Sequence, residues 1–391
     1  MNDHAAPAPL PERHALGSVH AELLDCIQVN LAVLADHHHG PDTHLRLGSA
    51  LRWHTRPGAH GLPTVDPSLD QRIAEAEQLL GLKASSRTRL TGAELQDVVR
   101  ARGTTHYVVA DAHAMPWLPY HGRRHMDHSF LLAPGPDGFH VADGYRTETP
   151  WGHAVPGHWE FGAGDLAGID TAEVIAWAPT LLDATAPRPA YDGGDPDGYL
   201  AAYADHPDRA AALEQLASET WLLARARALH ARWRARLSLP VDTEHLRRWD
   251  LVVEQSYLAH RRVARGRTEP PGVLDRLAAA LAADATAFAA PAPQAAAEPV
   301  RREAVADPEL REAVAGIAAS VLGAPRQHLL DGVEFTAFPT FSSFRLVELI
   351  ERVERDLDVE LDADELIPEN LRRVDDLCQI AISPRAAAPA A

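Results

Sequence analysis

The chain has 391 residues, 46% hydrophobic and 24% charged, which is a globular composition and too long for one small domain, so two or three domains are expected. Its net charge of −18 argues against partners whose phosphates would repel it, and neither a nucleic acid nor a membrane is expected as a partner. It lacks an apolar run of about 18 residues, which a spanning helix would need. Residues 1–15 are rich in Pro and Ala and are expected to be a disordered tail, with neither the basic nor the apolar region of a secretion signal. Val19, Leu23, Ile27, Leu31 and Leu34 recur at helical spacing, and the run His37-His38-His39-Gly40-Pro41 stops the predicted helix. Amphipathic helices are predicted over 67–82 and 91–102, the second capped by Thr91 with Glu94 as capping-box partner. Short apolar runs at 105–110, 128–133 and 139–142 read as strands. The turn residues 134–138 join the last two into a hairpin that ends at Asp143. From 171 to 290 the pattern reads as helical, with long helices over 207–237, 243–265 and 272–289. Residues 290–306 read as a Pro/Ala linker, 307–383 as a separate bundle of three to four helices with Asp307 as N-cap, and 384–391 as a tail.

Two cysteines, Cys26 and Cys378, cannot form a disulfide framework, and a reducing, cytoplasmic setting is expected. A cysteine near a helix N-terminus has its thiolate favoured by unpaired N–H groups, and Cys26 is placed in that way. His128 opens the second strand and Asp143 ends the third, so the hairpin can bring them together. An Asp on one imidazole nitrogen would orient the ring and leave the other to deprotonate Cys26. Against this stands the plainer expectation that a single Cys on an apolar helix is a core residue. His125, His128 and Asp127, or His37-His38-His39, suggest a metal, but no spacing matches a zinc signature and none is expected. His113, His121 and His125 are candidates for lining a cleft.

In the C-terminal unit, Ser343 opens a helix continued by Phe344, Leu346, Val347, Glu348 and Leu349. A Ser there is exposed where the helix dipole favours a phosphodiester; the plainer alternative is that Ser342 or Ser343 only caps the helix. These residues, with Arg373-Val374-Asp375-Asp376-Leu377, resemble an acyl carrier protein over about 75 residues. The resemblance implies a 4'-phosphopantetheine arm on Ser343 and, as partners, a phosphopantetheinyl transferase with an acyl-loading enzyme or other carrier proteins. Ser342 departs from it, standing where the family has Asp.

Over residues 16–170 the order Cys, His, Asp resembles the papain-like cysteine hydrolases and transferases. The closer likeness is to the butirosin-biosynthesis acyltransferase family, through residues 25–31, 118–120, 125–130 and 141–145. The fold class implied is α+β: a papain-like unit with a small antiparallel sheet, a helical region over 171–289 packed on it, and a C-terminal four-helix carrier bundle. The activity implied is acyl transfer, by a Cys26–His128–Asp143 triad, from a carrier thioester to a small-molecule amine, hydroxyl or thiol acceptor in natural-product biosynthesis. The alternatives are a thioesterase or cyclising enzyme with the same triad, or a non-catalytic scaffold for the carrier. The Gln that such sites place six residues before the Cys is replaced by His20, so the oxyanion donor is His20, Gln28 or a backbone N–H.

Overall fold

The computed structural model describes residues 13–102, 104–149, 151–166, 168–289, 308–338, 340–341, 343–359, 361, 365–366 and 370–382. The linker 290–306, Asp307, Ser342 and the tail 384–391 lie outside the described residues, as does most of the expected tail 1–15. The fold is mixed α and β. Two compact units are present, Met1–Arg56 with Val65–Gly194 and Arg225–Val241, and Pro57–Thr64 with Asp195–Ala224 and Asp242–Ala391.

The first unit is built on a six-stranded antiparallel sheet. Its strands are β1 (Leu82–Thr91), β2 (His106–Asp111), β3 (Asp127–Pro134), β4 (Phe139–Asp143), β5 (Gly157–Phe161) and β6 (Thr171–Pro179), in the spatial order β5-β4-β3-β2-β6-β1. The hairpin expected over 128–143 is β3 and β4, turned at Gly135, whose N–H donates to Gly138 O at 2.9 Å. Both faces of the central strands are covered: Phe130, Leu131 and Leu132 are consecutive and fully buried. The helical pattern read from 171 onward is corrected here, because 171–179 is β6, paired on both sides, and helices resume only at Asp197. Its alternating Ala172, Val174 and Ile175, Ala176 satisfy a strand because strands flank it, a non-local fact that Ala-rich composition hides.

Among the described residues, this unit holds, before the middle of the chain, α1 (Arg13–Ser18), α2 (Gln28–His39), α3 (Leu69–Leu79) and α4 (Gly92–Arg102). Ser68 and Gln71 form a capping box at α3, and Thr91 with Glu94 caps α4, its N–H donating to Glu94 Oε2 at 2.8 Å. The single helix suggested by Val19–Leu34 spacing is interrupted twice. A short 3₁₀ turn spans Ala21–Leu23, Leu24 is extended, and α2 starts only at Gln28. The break has a local cause: the Asp25 carboxylate accepts from the N–H groups of Ile27 (2.9 Å) and Gln28 (2.8 Å) and begins a new helix there. Residues Val29–Asp36 of α2 are buried without exception, so the helix is wrapped by protein on all sides. It ends at Gly40, whose φ of 94° only glycine adopts readily.

The second unit is helical: α5 (Asp197–Ala204), the first part of α6 (Arg209–Arg236), α7 (Thr243–Ala264), α8 (Val273–Ala289), α9 (Pro308–Leu322), α10 (Arg326–Leu330), α11 (Ser343–Asp356) and α12 (Val374–Ile382). Trp249 and His245 of α7 meet Asp284 of α8, with Trp249 Nε1 donating at 3.0 Å and His245 Nε2 at 2.7 Å from the same carboxylate oxygen. Helices α9 to α12 share a core of Val314, Ala318, Leu322, Phe335, Leu349, Val353 and Leu377, and Leu258 of α7 is part of it. Arg261 and Arg265 pair with Glu351 of α11, and Arg262 and Arg267 with Glu354. Helices α7 and α8 fall in the same compact unit as the C-terminal helices.

Candidate active site

Cys26 occupies the turn that enters α2. Its carbonyl accepts from Ser129 Oγ at 2.6 Å, and its thiol donates to Asp127 O at 3.4 Å, which ties the turn to the start of β3. Its environment runs against the expectation of a stabilised thiolate. Burial comes first, and the charges of Asp25, Asp66 and Asp143 add to it, so the thiol is pushed well above its usual range. The helix N-terminus does not offset this, because the Asp25 carboxylate has already taken the two N–H groups that would have faced an anion. Arg72, itself buried against Asp25 and bonded to Glu75 at 2.9 Å, is the cation that pulls the thiol down, and it is outweighed.

His128 and Asp143 are joined. In the antiparallel register Leu132 pairs with Val141 and Leu131 with Ala142, so Phe130 falls opposite Asp143, and His128 is the next residue on that face. Nε2 of His128 lies 2.7 Å from Asp143 Oδ2, with both side chains buried. The same carboxylate accepts from Trp117 Nε1 (3.0 Å), Tyr145 N–H (2.9 Å) and Asn30 Nδ2 (3.2 Å). Burial alone would raise its pKa, but His128 and these donors hold it below the ordinary value. An ionised carboxylate only accepts, so in the neutral ring the proton sits on Nε2 and Nδ1 is bare. Nδ1 is buried and has no hydrogen-bond partner. Tyr145 covers the ring edge-on, with centroids 5.0 Å apart.

The two side chains proposed as oxyanion donors are engaged elsewhere. His20 bonds Glu22 through Nδ1 (3.1 Å) and Arg232 through Nε2 (3.4 Å), while its N–H donates to His44 Nε2 at 3.2 Å. The Gln28 amide lies against Asp25 and Arg72. Of the three donors expected, a backbone N–H remains, and since Asp25 holds those of Ile27 and Gln28 it is that of Cys26.

Three further residues frame the site and were not singled out by spacing. Arg225 of α6 donates to Ala21 O (2.9 Å), Leu24 O and Arg146 O (2.9 Å), joining the segment before Cys26 to the one after Asp143. Trp117 packs on Phe130 and Phe161 as it bonds Asp143. Asn30 was readable only as one polar residue inside an apolar run. His113, His121, Phe161 and Asp165 line a cavity of about 770 Å³. His125 stacks on His113 with ring centroids 4.2 Å apart and bonds Asp111 at 2.5 Å. Among the described residues, no group of three His, Cys, Asp or Glu side chains is arranged to hold a metal ion, and no helix is long and apolar enough to cross a membrane.

Of the chemistry that spacing suggested, Cys26, His128 and Asp143 stand at one end of one sheet. No protein-family model matches the chain and no relative is found among curated proteins, so a functional reading rests on this geometry and on the sequence motifs.

Proposed function

We propose that the chain is a cysteine-dependent acyltransferase with a papain-like first unit and a C-terminal acyl-carrier bundle. The observation that carries this reading is the buried His128, oriented by Asp143 through Nε2 and presenting an unpartnered Nδ1, on the strand whose preceding carbonyl holds the Cys26 thiol. A buried Nδ1 without a partner occurs at His106 and His245 as well, so what sets His128 apart is the Cys26 thiol beside its strand, which gives that nitrogen a proton to accept.

The raised thiol pKa favours base-assisted attack over a standing thiolate. The thiol turns from Asp127 O to His128 Nδ1, which takes the proton as Sγ bonds the thioester carbonyl carbon. The N–H of Cys26, which Asp25 does not hold, is the backbone donor left for the resulting oxyanion. The imidazolium returns the proton to the departing thiol, and Cys26 is left acylated. An amine, hydroxyl or thiol acceptor then loses its proton to Nδ1 as it attacks, and Sγ leaves with that proton, which restores the Cys26 thiol and the neutral ring. Water in the acceptor's place gives the thioesterase alternative.

α11 begins at Ser343, so that residue stands at the N-terminus of a 14-residue helix, where a phosphodiester is favoured. When attached there, 4'-phosphopantetheine supplies the thiol on which an acyl group travels. Intact-protein mass spectrometry tests both halves. Co-expression with a broad phosphopantetheinyl transferase should add one arm, lost in Ser343→Ala, and loading with an acyl group should yield an acyl mass on Cys26 that disappears with a suitable acceptor. An arm that persists in Ser343→Ala, or acyl transfer undiminished in Cys26→Ala, overturns the corresponding half.

A further inference from the structure

Asn30 is fully buried one helical turn beyond Cys26. Its Nδ2 donates to Ser129 O (2.8 Å), Ser129 Oγ (3.1 Å) and Asp143 Oδ1 (3.2 Å), and its Oδ1 accepts from the Gly144 N–H at 2.9 Å. Ser129 Oγ in turn donates to the carbonyl of Cys26 at 2.6 Å. An unbroken polar path therefore joins the backbone of Cys26, through Ser129 and Asn30, to the carboxylate that orients His128.

The residue type is specified at both ends. The position needs a donor toward Ser129 O and Asp143, and an acceptor toward Gly144. A carboxylate could supply only the acceptor, and would stand against Asp143 with like charge. A leucine would leave Gly144 N–H and Ser129 O buried and unpaired. Gly144 belongs to the same fit, because a Cβ there would come within 3.1 Å of Val29 and Val33 and 3.6 Å of Asn30 Oδ1.

We infer that Asn30, acting through Ser129 and Asp143, is a positioning residue that sets the separation and alignment of Cys26 Sγ and His128 Nδ1. Its purpose rests on the acyltransferase reading, but its effect on the pair is measurable without acyl transfer. Full-length wild type, Asn30→Ala, Asn30→Asp and Ser129→Ala are alkylated with iodoacetamide from about pH 5 to about pH 9, and the rates at Cys26 and Cys378 are read separately by peptide mass spectrometry, with thermal midpoints in parallel.

The wild-type Cys26 rate should show an inflection from His128. Asn30→Ala should lower that rate by roughly 10- to 100-fold at neutral pH and erase the inflection, the size of loss expected for misplacement of about an ångström. The Cys378 rate should not change. Asn30→Asp should move the inflection to higher pH, since a second carboxylate beside Asp143 favours the imidazolium, a shift that loosened packing alone would not produce. Ser129→Ala breaks one link and should give a smaller loss in the same direction, which keeps the test decisive if Asn30→Ala does not fold. Variants that keep the wild-type rate and inflection while melting lower would overturn the inference and make Asn30 a packing residue. Wild type that shows the inflection but transfers no acyl group would remove the acyltransferase reading and support the positioning role on its own.

Discussion

His128 and Asp143 lie 15 residues apart in the chain, yet Nε2 and Oδ2 are 2.7 Å apart inside the protein. One hairpin produces this, and it settles which imidazole nitrogen is free. Asp143→Asn should leave the fold intact and reduce acyl transfer by roughly 10²- to 10⁴-fold, because an amide can present its NH₂ to Nε2 and select the wrong tautomer. A steady-state assay against the wild type checks it.

The same carboxylate should appear in the acid stability of the protein. Its folded pKa is depressed, so its contribution is complete above the ordinary Asp value of about 4 and is lost as pH falls through the lower folded value. Urea unfolding of wild type and Asp143→Asn at neutral pH and near pH 3 should show the smaller drop in the variant.

Cys26 should behave as a thiol at neutral pH. Burial and the carboxylates around it raise its pKa, so alkylation should keep accelerating with pH beyond about 8.5, where an ordinary cysteine levels off. Cys378 is buried in α12, and burial followed by Asp375 pushes it up to about 12. Cys26, beside a base, should label faster. A Cys26 rate that levels off well below neutral would show a standing thiolate instead.

The hairpin and its pair were legible because turn residues and a short loop fix register locally, and register fixes which residues share a face. Much less could be read where the cause is distant. β1 is a ten-residue run whose members alternate without strong hydrophobicity, from Lys83 to Arg89, and it becomes a strand only because β6 pairs with it. β6 in turn carries Ala at three of nine positions, which a propensity argument counts toward helix. At the site, the Cys26 shift is set first by burial, then by Asp25, with Asp66 and Asp143 adding from 40 and 117 residues downstream, and neither burial nor such distant charges show in spacing. The bond between His20 and Arg232 is of the same kind.

His106, at the start of β2, offers an independent pH test. It is buried, and burial, with Arg102, lowers its pKa to about 4. Its folded pKa is below the unfolded one, so the unfolded chain binds the extra proton first and stability is lost as pH falls from about 6.5 toward 4, by up to about 3 kcal/mol. His106→Gln should flatten the stability curve in that window. Equal slopes in wild type and variant would place the acid sensitivity elsewhere.

Arg262 and Glu354, 3.1 Å apart, are each about 5% exposed, and Arg262 also donates to Thr268 O and Leu361 O. Arg267 keeps Glu354 paired at 2.7 Å when Arg262 is removed, so Arg262→Met should cost less than the roughly 3–5 kcal/mol of stranding a buried charge. Adding Arg267→Met should bring the loss into that range, because Glu354 is then left without either arginine. Denaturation of the two variants and the wild type measures the coupling directly.

Leu258 lies in the core of helices α9 to α12 although it enters from α7, some fifty residues earlier in the chain. The heritable module is therefore longer than its motif. A graft that exchanged only the segment after residue 308 would arrive without Leu258 and without the arginines that face Glu351 and Glu354. A transplant that works in a new host chain should be one that carries α7 with it, and a change at Glu351 or Glu354 in any descendant of this sequence should be answered by a change among Arg261, Arg262, Arg265 and Arg267.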